Sequence, residues 1–170
     1  MPKVIEINKE DLLKIVRKHI DNEEYDKLTC RTLSKEANIG LGTLYKFFKS
    51  KQDFIAAIIL EDWHKMMESV IINDNIDICM KSLYEAIYQF SCKYYDLWEY
   101  EKKEFFSSVL EKRDLLVNKV FDYINKICDY NKTNCNQNEK WFLAYNMIQM
   151  ASSLFEYDRL EQIYKKIWRE

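Results

Sequence analysis

Residues 38–51, NIGLGTLYKFFKSK, hold both glycines of a 170-residue chain, Gly40 and Gly42, with the densest run of lysine and aromatic residues directly behind them. Upstream, Thr29 is a capping residue type at the head of a helical pattern that ends near Ala37. A second helical pattern covers about 41–49. Only Asn38, Ile39 and Gly40 separate the two, the length of a helix-turn-helix. Asn38 suits the left-handed conformation that closes a helix. Ile39 is expected to plug the angle between the helices. On a wheel of about 100° per residue, Leu41, Leu44 and Phe48 share one face, and Thr43 and Lys46 oppose them. Lys49 stands at the edge of that outer face, and Tyr45 and Phe47 stand on the flanks. An apolar face behind and hydroxyl and ammonium groups in front are what a helix laid in a DNA major groove requires. Gly42 puts no Cβ between helix and groove, and Gly40 leaves the first helical N–H groups uncovered for a phosphate oxygen. Lys51, in the first turn of the next helix, supplies a further cation for a phosphate. Tyr45 offers a hydroxyl to the backbone. Thr29 can cap its own helix and still touch a phosphate.

Charge supports that reading. The chain as a whole is at −2, which by itself argues against a nucleic-acid partner. Residues 1–52, however, carry 11 Lys and Arg against 8 Asp and Glu, and the remainder is net acidic. Between Lys27 and Lys51 six basic residues face one acid, Glu36, a local footprint for a polyanion. The alternative for such a cluster is a solvated helix face.

Two glycines and one proline give almost no turn punctuation, which β-proteins need every 8–12 residues or so, and the expected class is therefore all-α. Helices are expected over about 8–21, 29–37, 41–49, 50–72, 75–95, 97–112 and 114–130. A polar loop follows over 131–138, then helix over 139–169 with a break near Asp158. Asn8 and the S-x-x-D run Ser50–Asp53 are helix-start signals. The longest apolar run, Phe54 to Leu60, is far short of the ~20 residues a membrane span needs. The opening MPKVIEINKEDLLK has charges where a secretory leader needs its apolar core. Five scattered cysteines without a C-x-x-C pair suit a reducing compartment, and a cytoplasmic protein without cofactor or metal is expected.

The segment LTCRTLSKEANIGLGTLYKFFKSKQDF, Leu28 to Phe54, resembles the DNA-binding region of the TetR family of transcriptional regulators. Thr29, Leu33, Ala37, Gly42, Thr43, Leu44, Tyr45, Phe48, Ser50, Lys51 and Phe54 match that family's pattern in register, and G-T-L-Y-x-x-F-x-S-K is its specific core. There are departures. The family's small mid-helix residue is Ser34, its turn glycine is Asn38, its capping serine is Gly40, and its second phosphate-binding aromatic is Phe47, which cannot hydrogen-bond. The resemblance implies DNA contacts from Thr29, Thr43, Tyr45, Lys46 and Lys51, with Lys46 reading a base edge, expected at guanine O6/N7.

The resemblance also implies two parts, a three-helix DNA-binding domain over 1–52, with its helix-turn-helix at about 29–49, and a helical ligand-binding and dimerisation domain over 53–170. The implied protein is a dimeric repressor on a palindromic double-stranded operator, released by a small-molecule inducer. Dimerisation has a physical reason, since one helix in one groove reads few base pairs and two-fold symmetry doubles the contacts. Trp141, Tyr145, Ile148, Ser152 and Phe155 recur at helical spacing and are candidates for the homodimer interface; the alternative is that this stripe packs within the subunit. Trp63, Tyr84, Tyr88, Trp98 and Phe105 are candidates to line a ligand pocket, although such aromatics are more often core. An enzyme is not expected, because His19 and His64 are far apart and no hydrolase, zinc-protease or phosphate-loop motif is present. Two other readings remain open: a thiol-based redox-sensing regulator, using Cys30 in the DNA-binding unit or Cys128 and Cys135, seven apart near a loop, and a helical interaction protein whose helix-turn-helix binds no DNA.

Overall fold

The computed structural model describes residues 7–100 and 105–168; the side chains of Trp98, of residues 105–114 and of 167–168 lie outside that description. Within it the chain is all-α, with eight helices and no strand among the described residues. They are α1 (Lys9–Asp21), α2 (Cys30–Glu36), α3 (Leu41–Leu44), α4 (Lys51–Glu68), α5 (Ile76–Tyr100), α6 (Phe105–Tyr130), α7 (Gln137–Ser152) and α8 (Tyr157–Trp168). The chain forms two compact units: Met1–Asp62 with Asp96–Phe105, and Trp63–Tyr95 with Phe106–Glu170.

In the first unit, Leu12, Val16, Leu28, Leu33, Leu44, Phe48 and Phe54 form the core, and the rings of Phe48 and Phe54 meet edge to face at 5.8 Å. The expected caps are in place. Asn8 accepts from the Asp11 N–H at 2.8 Å, Thr29 from the Thr32 N–H at 3.1 Å and Ser50 from the Asp53 N–H at 3.2 Å. Arg17 on α1 pairs with Asp62 of α4 at 2.6 Å. His19 is buried, with its two ring nitrogens 3.0 Å from Glu24 and 2.9 Å from Glu36.

In the second unit, Leu83, Ile87, Ile124, Ile127, Leu143 and Met147 are buried, with several aromatic rings among them. The Tyr84 hydroxyl donates to the Phe155 carbonyl at 2.5 Å, and the Tyr164 hydroxyl to Asp77 at 2.6 Å. Asn136 and Glu139 close a reciprocal capping box at the start of α7.

Five expected boundaries change. The helix expected over 41–49 is α-helical only to Leu44. Lys46 and Phe47 then bond back three residues, to Thr43 and Leu44, and tighten the last turn. The helix expected to reach residue 72 ends at Glu68, where Ser69 and Val70 turn with bonds to Met66 and Met67. The pieces expected over 75–95 and 97–112 are replaced by α5 to Tyr100 and α6 from Phe105, because the exposed Asp96 does not interrupt a helix that contains neither Gly nor Pro. The break expected between 112 and 114 is absent, because α6 is continuous from Phe105 to Tyr130. The break expected near Asp158 falls earlier, at Leu154, whose φ is 55°.

Candidate nucleic-acid interface

The turn between α2 and α3 is a complete Schellman closure. Ile39 N–H reaches the Ser34 carbonyl at 2.9 Å and Asn38 N–H the Lys35 carbonyl at 3.1 Å, with Asn38 left-handed at φ 52°. Asparagine bears that conformation more easily than most side chains, because its short amide can bond locally. The closure aims α3 away from α2 so that Leu44 and Phe48 are buried while Gly42, Thr43, Tyr45, Lys46 and Lys49 are exposed. The wheel drawn from sequence holds for Leu44 and Phe48 inside and for Thr43 and Lys46 outside, while Leu41, expected on the core face, is only half-buried. Tyr45 is half exposed, at 50%, so its ring flanks the polar face rather than the core.

Thr29 is exposed, and its hydroxyl oxygen lies 2.9 Å from that of Thr32 while capping α2. Lys51 is placed differently from the other cations. It is half-buried, its ammonium donates to the Tyr25 carbonyl at 3.3 Å and stands 5.4 Å from the centre of the Tyr100 ring. It ties the start of α4 to the turn after α1 as well as bringing a charge to this region. The sequence reading counted Arg31 and Lys35 as charge only. The structure exposes both on α2, where with Thr32 and Glu36 they line an open depression of about 470 Å³. Their i, i+4 spacing was the available signal.

The two glycines take on meaning against the other turns. Four residues have positive φ among the described residues, Glu23, Asn38, Lys132 and Leu154, and none is glycine. Each closes a helix with the same pair of backbone bonds seen at Asn38. A left-handed L-residue costs roughly 1 kcal/mol, yet the chain does not place glycine at any of them. Gly40, by contrast, has φ −71°, and Gly42 too has no positive φ. A Cβ built on either glycine meets nothing within 4 Å. Neither the backbone nor the packing of this chain requires glycine at 40 or 42.

The other candidate residues lie in the second unit. Trp141, Tyr145 and Phe155 are exposed at 40%, 49% and 41%, Ser152 is exposed and Ile148 is half-buried. Phe142, not singled out in the sequence, is also half exposed, and the Trp141 ring stacks on Phe121 of α6 at 4.2 Å. Trp141, Phe142 and Tyr145, with Val117, Asn118 and Asn146, line an open groove of about 1020 Å³. Of the aromatics considered for a ligand, Trp63 and Tyr84 are buried and Tyr88 is half-buried; the Trp98 and Phe105 side chains lie outside the described residues. Trp63 meets Phe90 edge to face at 5.0 Å, and its indole N–H is buried without a hydrogen-bond partner among the described residues. No cluster of three or more metal-ligating side chains is found among the described residues, and no helix there is long and apolar enough to cross a membrane.

Comparison with known proteins agrees with the resemblance read from Leu28 to Phe54. Residues 19–58 match the family of bacterial regulatory proteins, tetR family. HTH-type transcriptional regulators of Staphylococcus aureus strains USA300 and NCTC 8325 are each 34% identical over 55 residues, 32% of this chain. The chain covers 30% of the length of these relatives. Among solved structures, a Clostridium perfringens candidate fatty acid metabolism regulator aligns over 93% of this chain and 96% of its own, with a TM-score of 0.52 and 16% identity. That likeness extends the shared all-helical fold well beyond the helix-turn-helix.

Proposed function

We propose that the chain is a sequence-specific, double-stranded-DNA-binding transcriptional regulator, acting in the cytoplasm as a homodimer and released from a palindromic operator by a small molecule. The observation that carries this reading is the outer face of α3 and of the tightened turn that follows it, where Gly42, Thr43, Tyr45 and Lys46 are exposed above a buried Leu44 and Phe48. Glycine stands there without any need from the fold, which fits a backbone held close to another polymer. In this reading residues 1–52 are the reading head. Lys46 reads a base edge, and Thr29, Thr43, Tyr45 and Lys51 hold phosphates. The exposed Arg31 and Lys35 add backbone charge. Residues 53–170 bind ligand and dimerise. The apolar face of α7, with Trp141, Phe142 and Tyr145 exposed, is the surface offered to a second copy. Two heads so joined would meet half-sites about 34 Å apart.

For the ligand, the supporting observation is the buried indole N–H of Trp63, which has no hydrogen-bond partner among the described residues and which a ligand bearing an acceptor would meet. Trp63 lies on α4, and α4 is continuous from Lys51 to Glu68, so a shift there would be felt at the helix that follows the reading head. A full switch from 99% to 1% competent needs about 5.5 kcal/mol of differential affinity.

The test is selection of the bound site from random duplexes followed by gel shift against salt. The expected outcome is a two-fold symmetric site, with log affinity falling by about 0.9 per phosphate neutralised for each unit of log salt. An asymmetric selected site would remove the dimer from the reading. Absence of any duplex binding at low salt would remove the function.

A further inference from the structure

The loop from Asn131 to Asn136 joins α6 to α7 and brings together two thiols that no part of the DNA-binding reading uses. Cys128, on the last turns of α6, is fully buried, and Cys135, one residue before the Asn136 cap of α7, is half-buried. Their sulfurs stand 3.1 Å apart. The loop is held in that shape by its own bonds. Thr133 N–H reaches the Cys128 carbonyl at 2.9 Å, Cys135 N–H reaches the Thr133 carbonyl at 3.1 Å, and the Asn131 amide donates to the Ile127 and Asn73 carbonyls at 3.0 Å each. Lys132 accepts a left-handed φ of 53° within it. A disulfide needs sulfurs about 2.05 Å apart, so closing this pair brings the two sulfurs about 1 Å nearer.

We propose that Cys128 and Cys135 are a redox modification site, a dithiol that hydrogen peroxide converts to an intramolecular disulfide, which a thiol reductant reopens. Cys135 is the sulfur oxidised first, because it is the one solvent reaches. Burial pushes both thiols up. The charge of the nearly buried Lys140 pulls both the other way, and the two differ in their mutual hydrogen bond, which lowers Cys135 and pushes Cys128 further up. The reaction is therefore slow compared with that of an exposed, electropositive thiol. The Cys135 thiolate attacks one peroxide oxygen, the O–O bond breaks, and hydroxide leaves with the proton the thiol gave up, as water. The Cys128 sulfur then attacks the sulfenic sulfur; the S–S bond forms, the S–O bond breaks, and the hydroxyl departs with the Cys128 proton as a second water. The two sulfurs lose two electrons in all, and the peroxide takes both. The bond ties the end of α6 to the start of α7, the helices that carry the stacked Phe121 and Trp141.

The experiment treats the full-length reduced protein with hydrogen peroxide and digests it with trypsin without reduction. Cleavage after Lys126, Lys132 and Lys140 places the two cysteines on separate peptides, 127–132 and 133–140. The expected result is a linked pair of those peptides, an intact mass lower by two hydrogen atoms, and return to the starting mass with dithiothreitol. Cys128→Ser should instead leave Cys135 as a sulfenic acid that dimedone traps. Peptides that stay unlinked while the exposed Cys92 is oxidised would overturn the proposal, as would a disulfide mapping to any other pair. The wild-type peptide map decides the matter even if the serine variant does not fold. None of these readouts involves DNA, so a failed operator assay leaves them untouched.

Discussion

The outer faces of α3 and α7 are both left uncovered by the fold, and their chemistry is opposite. On α3 and the tightened turn after it the exposed residues include Gly42, Thr43, Tyr45 and Lys46; on α7 the exposed large hydrophobic side chains are Trp141, Phe142 and Tyr145. The first presents little apolar area and several donors, the surface a hydrated polyanion can meet at short range. The second exposes large rings that water disfavours, at about 25 cal/mol per Å² of apolar surface. Burial inside the chain explains neither face. The difference teaches that exposure alone does not name a partner. What each face would gain on being covered does: charge-assisted and backbone contacts for α3, removal of apolar area for α7. Substitutions on these faces should therefore damage binding much more than folding, and in ways that tell the two faces apart.

The largest effect is expected at α7. Trp141→Ala should weaken dimerisation by about 2–4 kcal/mol, the range of an aromatic anchor in an interface. It should cost the monomer only the roughly 0.5–1.5 kcal/mol of its stack on Phe121. Sedimentation equilibrium measures the first and urea unfolding the second. A dimer constant that moves less than the folding constant would mean that the face serves only its own subunit. Next is Lys46→Ala, expected to cost about 1–3 kcal/mol on the selected operator and to relax preference at one base position. Equal losses on specific and random duplexes would make Lys46 a phosphate contact instead. Tyr45→Phe should weaken specific and random DNA alike, by about 1 kcal/mol, because a phenol bonded to the backbone carries no sequence information. Gel shifts on both duplexes measure it, and a loss confined to the operator would move Tyr45 into base reading.

Much of the α3 face was legible because its determinants are local. A cap at Thr29, a left-handed residue at Asn38 and the spacing of Leu41, Leu44 and Phe48 all act within a few residues, and periodicity reads such spans well. The length of α3 was not legible, since periodicity cannot distinguish bonds to the fourth residue back from bonds to the third. Nor were three of the four helix closures, because Glu23, Lys132 and Leu154 are not residue types that announce a left-handed turn. The chain's longer-range arrangements were beyond reach for a different reason. That His19 would stand between Glu24 and Glu36 depends on how loops close, and spacing along the chain does not encode it; the spacing of Cys128 and Cys135 beside a loop marked that pair, but not that their sulfurs would stand 3.1 Å apart. The α7 stripe was visible as a stripe, but its exposure was not. Trp141, Tyr145 and Phe155 have the same spacing whether they pack inward or outward.

The smallest expected effect is the most discriminating, since its sign differs between folding and binding. In the free protein a Cβ on Gly42 meets nothing within 4 Å, and the residue has no positive φ. Gly42→Ala should therefore stabilise the fold, by about 0.5 kcal/mol and at most about 1, since alanine loses less backbone freedom than glycine on entering a helix. If the α3 backbone lies against DNA, the same methyl should hold it off and lower operator affinity several-fold. Gly40→Ser is the control. It adds a capping hydroxyl worth a few tenths of a kcal/mol at a position equally open in the free chain, just outside the helix. Thermal unfolding and gel shift on the two variants separate the cases. A Gly42→Ala protein that is both more stable and equally tight on its operator would show that the glycine answers to no partner, and the α3 face would lose the observation that sets it apart from any other exposed helix.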